Sequence, residues 1–365
     1  MSWHAVDAVD DAVEATRRFL FPFSLVRWAK LAFLVLLMGG SANAGVSIPA
    51  APDARIAGFA GVSEVWESDT GAMTPSEAVD AVVSDLVPGM PADRLIVAVA
   101  IATVVAAVAF SVVSLSLRLV FYDALRTNEV RLWRPFLGHL RQAAGLFVAS
   151  AALWSIAVGP IALAALVGVA AEAPLGWEPI DSLAAAVGSL SLGPAIVVGL
   201  LGSAVVLFAT LALRLTYEFV VPAMIVEDIG VLAGWRRTWD AVSGEWPQVL
   251  VYLAVHFFVR LGTAIVEGIA FVIAGSAVAG IAGIALLLAA VLLGGLGALV
   301  STTAGTVTVV LVVLVAVVTL LAVTLPISLV TRSYLISYEV ATLGGIDSGL
   351  ALLHPDIHPK FTDRD

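Results

Sequence analysis

The chain contains no cysteine, which excludes disulfides, thiolate metal sites and lipidation through a thiol. Lysine is almost as scarce, with only Lys30 and Lys360. Charge of either sign is thin: Asp, Glu, Lys and Arg make up 13% of 365 residues while 61% are hydrophobic, against roughly 25% charged in an average soluble protein. No Gly-x-Ser-x-Gly elbow, His-Glu-x-x-His site or phosphate-loop pattern occurs, so no catalytic residue, cofactor or metal ligand is assigned. The net charge of −10 opposes binding to nucleic acid. An acidic, lysine-poor composition rich in Ala, Val and Gly suits a salt-rich setting, where surface carboxylates keep a protein hydrated.

What is present is long and apolar. Residues 31–52, 95–117, 142–171, 182–213 and 268–331 contain no Asp, Glu, Lys or Arg, and about 20 apolar residues span a bilayer core. The fold class is therefore all-α, a polytopic transmembrane helical bundle in the cell membrane. Basic residues mark the cytoplasmic ends of spans. Arg17, Arg18, Arg27 and Lys30 place the N-terminus inside, and the acidic loop 49–93, with Arg55 its one base among Asp and Glu, lies outside. The connection holding Arg118, Arg126, Arg131, Arg134 and Arg141 is inside, as is the one holding Arg214, Arg236 and Arg237.

Expected spans are 25–48, 95–121, 142–171, 185–217, 249–275 and 305–331, with 278–300 as a hydrophobic re-entrant segment. That gives six crossings in three hairpins; a full crossing at 278–300 makes seven and puts the C-terminus outside. Three span ends share a pattern of Arg, Tyr and an acid: Arg118, Tyr122 and Asp123; Arg214, Tyr217 and Glu218; Arg332, Tyr334, Tyr338 and Glu339. Either this is an internal repeat, which would bring three helices out on one side and favours six crossings, or Arg and Tyr are interface anchors.

Residues 1–24 form a cytoplasmic amphipathic helix, with Trp3, Val6, Val9, Val13, Thr16 and Leu20 on the stripe expected to pack on the protein's own surface. Thr16-Arg17-Arg18 and Ala42-Asn43-Ala44 imitate an export leader, but Arg27 and Lys30 interrupt the apolar run and cleavage is not expected. In the outer loop Thr74, Pro75 and Glu77 make a capping box for a short helix. Residues 333–365 form a polar tail, in which His354, Asp356 and His358 lie among prolines and belong to a mobile segment rather than a metal site.

The opening Met1-Ser2-Trp3-His4-Ala5-Val6-Asp7, continuing through Thr16-Arg17-Arg18-Phe19-Leu20-Phe21-Pro22-Phe23, resembles an uncharacterised family of integral membrane proteins from halophilic archaea. The stretch Pro222-Ala223-Met224-Ile225-Val226-Glu227-Asp228, with Gly234-Trp235-Arg236-Arg237-Thr238-Trp239, is similar to the membrane domain joined to some glycerophosphodiester phosphodiesterases. Neither resemblance implies an activity, and the catalytic domain of those phosphodiesterases has no counterpart in this chain.

Two sets of residues are candidates for a site. Tyr252, His256, Arg260, Thr263 and Glu267 recur at spacings that share one helical face. A span entering near Val249 carries Arg260 about 16 Å deep, where an arginine costs about 2.5–3.5 kcal/mol and needs a partner or a wet cavity. Glu267 is the one acid expected at membrane depth. His256, Arg260, Thr263 and Glu267 either line a polar path or, with Arg260 paired to Glu267, hold the bundle together. Trp235, Arg236, Arg237 and Trp239 are candidates for lipid headgroups or for a passive interfacial belt. The glycines of 275–305 are expected to serve close helix packing. The leading functional class is a non-enzymatic membrane component binding lipid, another membrane protein or itself; the second is a transporter or permease using the polar stripe.

Overall fold

A computed structural model describes residues 4–21, 23–42, 92–173 and 175–358. The outer loop with its capping box, Trp3 and residues 359–365 lie outside the described residues. Every regular element among the described residues is helical. Helix α1 is His4–Leu20 and α2 Leu25–Ala42. Helix α3 is Ala92–Thr127, α4 Trp133–Glu172 and α5 Glu178–Gly188. Helix α6, Leu192–Leu215, passes through a π turn at Thr216–Val220 into α7, Val221–Glu227. Then follow α8 Val231–Val242, α9 Trp246–Leu293, α10 Leu296–Ser301 and α11 Thr303–Ile346. Among the described residues, five helices are long and apolar enough to cross a membrane: 97–127, 133–172, 192–227, 246–293 and 303–346.

The bundle has two unlike ends. At one, α3, α4, α7, α8 and the last turns of α11 enclose a core including Phe121, Val220, Met224, Leu329 and Val340. Along the uncharged stretches, large side chains such as Val104, Leu200, Phe208, Ile273 and Leu314 face outward, as lipid-facing positions do. The basic segments meet at the packed end: Arg27 donates to Asn128 Oδ1 at 2.7 Å, Lys30 lies 3.4 Å from the Val130 carbonyl, and Arg126 donates to the Ile225 carbonyl at 2.6 Å.

Helix α9 differs from the expected span. It runs unbroken for 48 residues, through Gly275 to Leu293, so residues 278–293 continue the same helix. An interior glycine costs only about 1 kcal/mol, whereas breaking a helix in lipid strands backbone groups at several kcal/mol each. The chain reverses at Gly294 and Gly295, with φ of 94° and 125°, a region that side chains with a Cβ rarely adopt. Thr331 of α11 donates to Glu267 Oε1, which sets the register of the antiparallel pair. From that level to the turn, the uncharged legs 268–293 and 303–331 measure about 39 and 43 Å at 1.5 Å per residue. Residues 246–267 and 332–346 extend the other way, into the packed end.

Both chain ends also depart from expectation. Thr16 and Leu20 of the expected stripe are buried, but the rest of the buried face of α1 is Ala5, Ala8, Ala12, Ala15 and Phe19, all 2% exposed or less, while Val6 and Val13 are over half exposed. Small residues win because they let helix axes approach: a Cβ on Gly345 of α11 would lie 3.1 Å from His4 Cβ. The segment after α11 is folded rather than a polar tail. Leu350, Leu352, Leu353 and Ile357 are buried, and His354 N donates to the Leu125 carbonyl at 3.2 Å. The prolines and histidines of this stretch masked its leucines, which supply the burial that holds it.

Candidate functional site

The polar centre of the packed end begins with Pro222. Lacking an N–H, it cannot donate to either the Glu218 or the Tyr217 carbonyl, the acceptors one α or one π turn before it. The Val221 N–H bonds to the Thr216 carbonyl instead, closing the π turn. The Tyr217 carbonyl, left without a helical partner, faces the Tyr122 hydroxyl at 3.3 Å and Arg118 Nη2 at 3.5 Å. The Arg118 guanidinium also lies 4.7 Å above the Tyr217 ring. The π turn, a form that recurs at functional sites, aims Glu218 into the bundle.

Around Glu218 three helices converge. Arg214 Nε donates to its Oε1 at 2.9 Å and the Tyr252 hydroxyl to its Oε2 at 2.7 Å. His256 Nδ1 is 3.1 Å from the same hydroxyl, and its Nε2 is 3.4 Å from Glu218 Oε1. Glu339 of α11 completes the group, its Oε2 lying 3.3 Å from the Tyr122 hydroxyl. One donor atom each from Glu218, His256 and Glu339 lie within 4.8 Å of one another, and the three residues are 4%, 1% and 7% exposed. The Tyr252 and Tyr338 rings stack at 5.7 Å beside them. Such a group can hold a proton between acceptors or coordinate a cation.

The expected stripe on α9 splits. Tyr252 and His256 join this cluster, while Glu267 pairs with Thr331 and Thr263 Oγ1 bonds to the Arg260 carbonyl of its own helix at 3.0 Å. Arg260 is half-buried, and among the described residues no ion pair joins it to Glu267. Glu218 and Glu339 are more deeply enclosed within the bundle than Glu267. Both stood in the Arg-Tyr-acid pattern, and combining that pattern with the α9 stripe would have brought them together.

The second candidate set also divides. Arg237 bonds Glu227 Oε1 at 2.6 Å and Asp347 Oδ2 at 2.8 Å, tying α8 to α7 and to the end of α11. Those hydrogen bonds raise the Arg237 pKa, and the bond from Arg237 holds the Asp347 carboxyl below its usual 3.8. Trp235 is partly buried against the core. Arg236 is exposed, and Trp239, 51% exposed, meets Trp246 edge-on at 5.8 Å. A Cβ on Gly234 would lie 3.0 Å from both Met224 and Val220 side chains, so that glycine lets α8 seat on the π turn.

Fold and site together define a class: an all-α bundle with helices suited to a membrane and a buried Glu-Tyr-His-Glu cluster at one end. The chain belongs to the family of unknown function DUF7544, which matches residues 3–353. No curated protein and no solved structure matches it.

Proposed function

We propose that this chain is a non-enzymatic component of the cell membrane that associates with a further transmembrane helix, from a partner protein or from a second copy. The observation that carries this is on the α9 and α11 hairpin. Among the described residues, Gly262, Gly268, Gly275, Gly280 and Gly283 have nothing within 4 Å of where a Cβ would stand, so these glycines serve no packing against the described part of the chain. Each costs about 1 kcal/mol against alanine in a helix, and small residues in membrane helices mark close helix contact. Beside them a groove of about 260 Å³ runs between the two helices, lined by Val278, Ala282, Ala285, Val312, Ala316 and Thr319. Its lining is apolar, which supports a helix or a lipid chain rather than a polar substrate.

The accompanying topology has six crossings and a cytoplasmic N-terminus, with α2 as the first span. Its last two crossings are 268–293 and 303–331, the uncharged legs of the hairpin. Arg260 and the buried cluster then sit at the cytoplasmic headgroup level instead of the bilayer centre, which relieves the cost of a central arginine. The lysine-poor acidic composition supports a haloarchaeal setting.

The test uses the native absence of cysteine. Ala279→Cys and Gly283→Cys are introduced singly, and oxidative crosslinking is carried out in membranes. A crosslinked dimer, or a crosslink to one defined membrane protein, that is lost in Gly275→Leu supports the assignment. Absence of any protein crosslink, with only lipid recovered from the groove, overturns it in favour of a lipid-binding role.

A further inference from the structure

Proton counting around Tyr252 sets two acceptors face to face, on His256 and Glu218, when the carboxyls are ionised. A tyrosine hydroxyl has one proton to give, and the 2.7 Å bond to Glu218 Oε2 uses it. The 3.1 Å contact with His256 Nδ1 then requires Nδ1 to donate to the tyrosine oxygen. In the neutral ring that leaves Nε2 as a bare lone pair, facing Glu218 Oε1 at 3.4 Å. Two acceptors face each other, and a Glu339 carboxylate oxygen closes on the same space. A shared proton or a metal cation between them resolves the conflict, and the convergence of three buried ligand atoms favours the cation.

We propose that Glu218, His256 and Glu339 form a binding site for a divalent transition metal, coordinated by Glu218 Oε1, His256 Nε2 and a carboxylate oxygen of Glu339. The donor set is one imidazole and two carboxylates, three protein ligands with a coordination position left over, a set that suits zinc. Donors around zinc stand about 3.3 Å apart for bonds of about 2.0–2.1 Å. The present separations, within 4.8 Å, must shorten by up to about 1.5 Å to reach that spacing. The surroundings are those of a supported metal site. Tyr252 fixes the imidazole through the nitrogen that does not face the metal and holds Glu218 with the same hydroxyl, and Tyr122 bonds Glu339; such outer contacts orient ligands. Arg214 already offsets the charge of Glu218, so an ion held by charge alone gains little. Imidazole coordination therefore selects zinc over calcium or magnesium.

The experiment uses the full chain in detergent or nanodiscs, stripped with chelator and titrated with Zn²⁺, in a background where His354 and His358 are alanine to remove a competing surface pair. Expected are one Zn²⁺ per chain, a raised unfolding temperature with Zn²⁺ but not with Ca²⁺ or Mg²⁺, and loss of both in Glu339→Gln and His256→Gln. Tyr252→Phe, which leaves all three ligands in place, should weaken binding by about 10–100-fold. If the glutamine variants do not fold, Co²⁺ added to the unmodified protein reports its coordination through its visible spectrum: intense bands of a low-coordinate protein site support the proposal, and the weak bands of the six-coordinate aqua ion overturn it. So does a folded protein that takes up no Zn²⁺, which would assign a shared proton to the cluster, and so do glutamine variants that bind as tightly as the parent.

Discussion

The Tyr252 hydroxyl bonds Glu218 at 2.7 Å across 34 residues of sequence and lies 3.1 Å from His256 one turn along its own helix. One phenol oxygen thus ties the π turn after α6 to the first turns of α9.

Tyr252→Phe keeps the ring that stacks on Tyr338 but removes that oxygen. With the metal absent, the variant should lose about 1–3 kcal/mol, the cost of leaving a buried polar partner unmatched. Thermal or denaturant unfolding in detergent measures it, and an unchanged midpoint would show that the hydroxyl contributes nothing.

Glycines of the two kinds should respond oppositely. Gly345→Leu overfills the contact with His4 and should release α1, making residues 4–20 accessible to protease and fast in hydrogen exchange. Gly268→Leu meets nothing within 4 Å among the described residues and should leave the isolated chain as stable as before. Equal protection of α1 in Gly345→Leu would refute the small-residue account of its docking.

Acid should loosen the α8 clamp. The folded pKa of Asp347 is depressed by the bond from Arg237, so its contribution is complete above the unfolded value of about 3.9 and disappears as pH falls through the lower folded value. Unfolding midpoints of the parent and Asp347→Asn should therefore differ at neutral pH and converge below about pH 4. A difference that persists undiminished in acid would remove the ion pair as its cause.

Membrane register can be read with single cysteines. Arg260→Cys and Asp356→Cys should react with an impermeant maleimide from the cytoplasmic side, Ala279→Cys should not react, and Gly294→Cys should react from outside. Labelling of position 356 from outside would overturn the six-crossing topology, and protection of position 260 would return it to the bilayer interior.

Much of the architecture was legible because hydrophobic length is a local property. Uncharged runs such as 95–117 and 142–171 lie within single long helices, since a backbone in lipid must satisfy its own hydrogen bonds, whereas the run 182–213 is broken at residues 189–191 between two helices. The ends were less legible. Residues 333–358 read as a tail because Pro355, His354 and Asp356 are conspicuous, whereas what holds them is the fit of Leu350, Leu352, Leu353 and Ile357 into the core. In α1, Val6 and Val13 carry the hydrophobicity, yet the alanines carry the contact, because helix approach depends on size as well as polarity.

The sequence by itself determined that the chain is a bundle of long apolar helices with its arginines, tyrosines and acids gathered at the helix ends, since composition and charge spacing require no partner to be read. Only the tertiary structure decided that α9 turns at Gly294 rather than Gly275, and that Glu218, His256 and Glu339, separated by 38 and 83 positions, meet in one buried site. That meeting depends on a π turn displaced by one proline N–H and on the register of α9 against α11, and neither is encoded in any single segment.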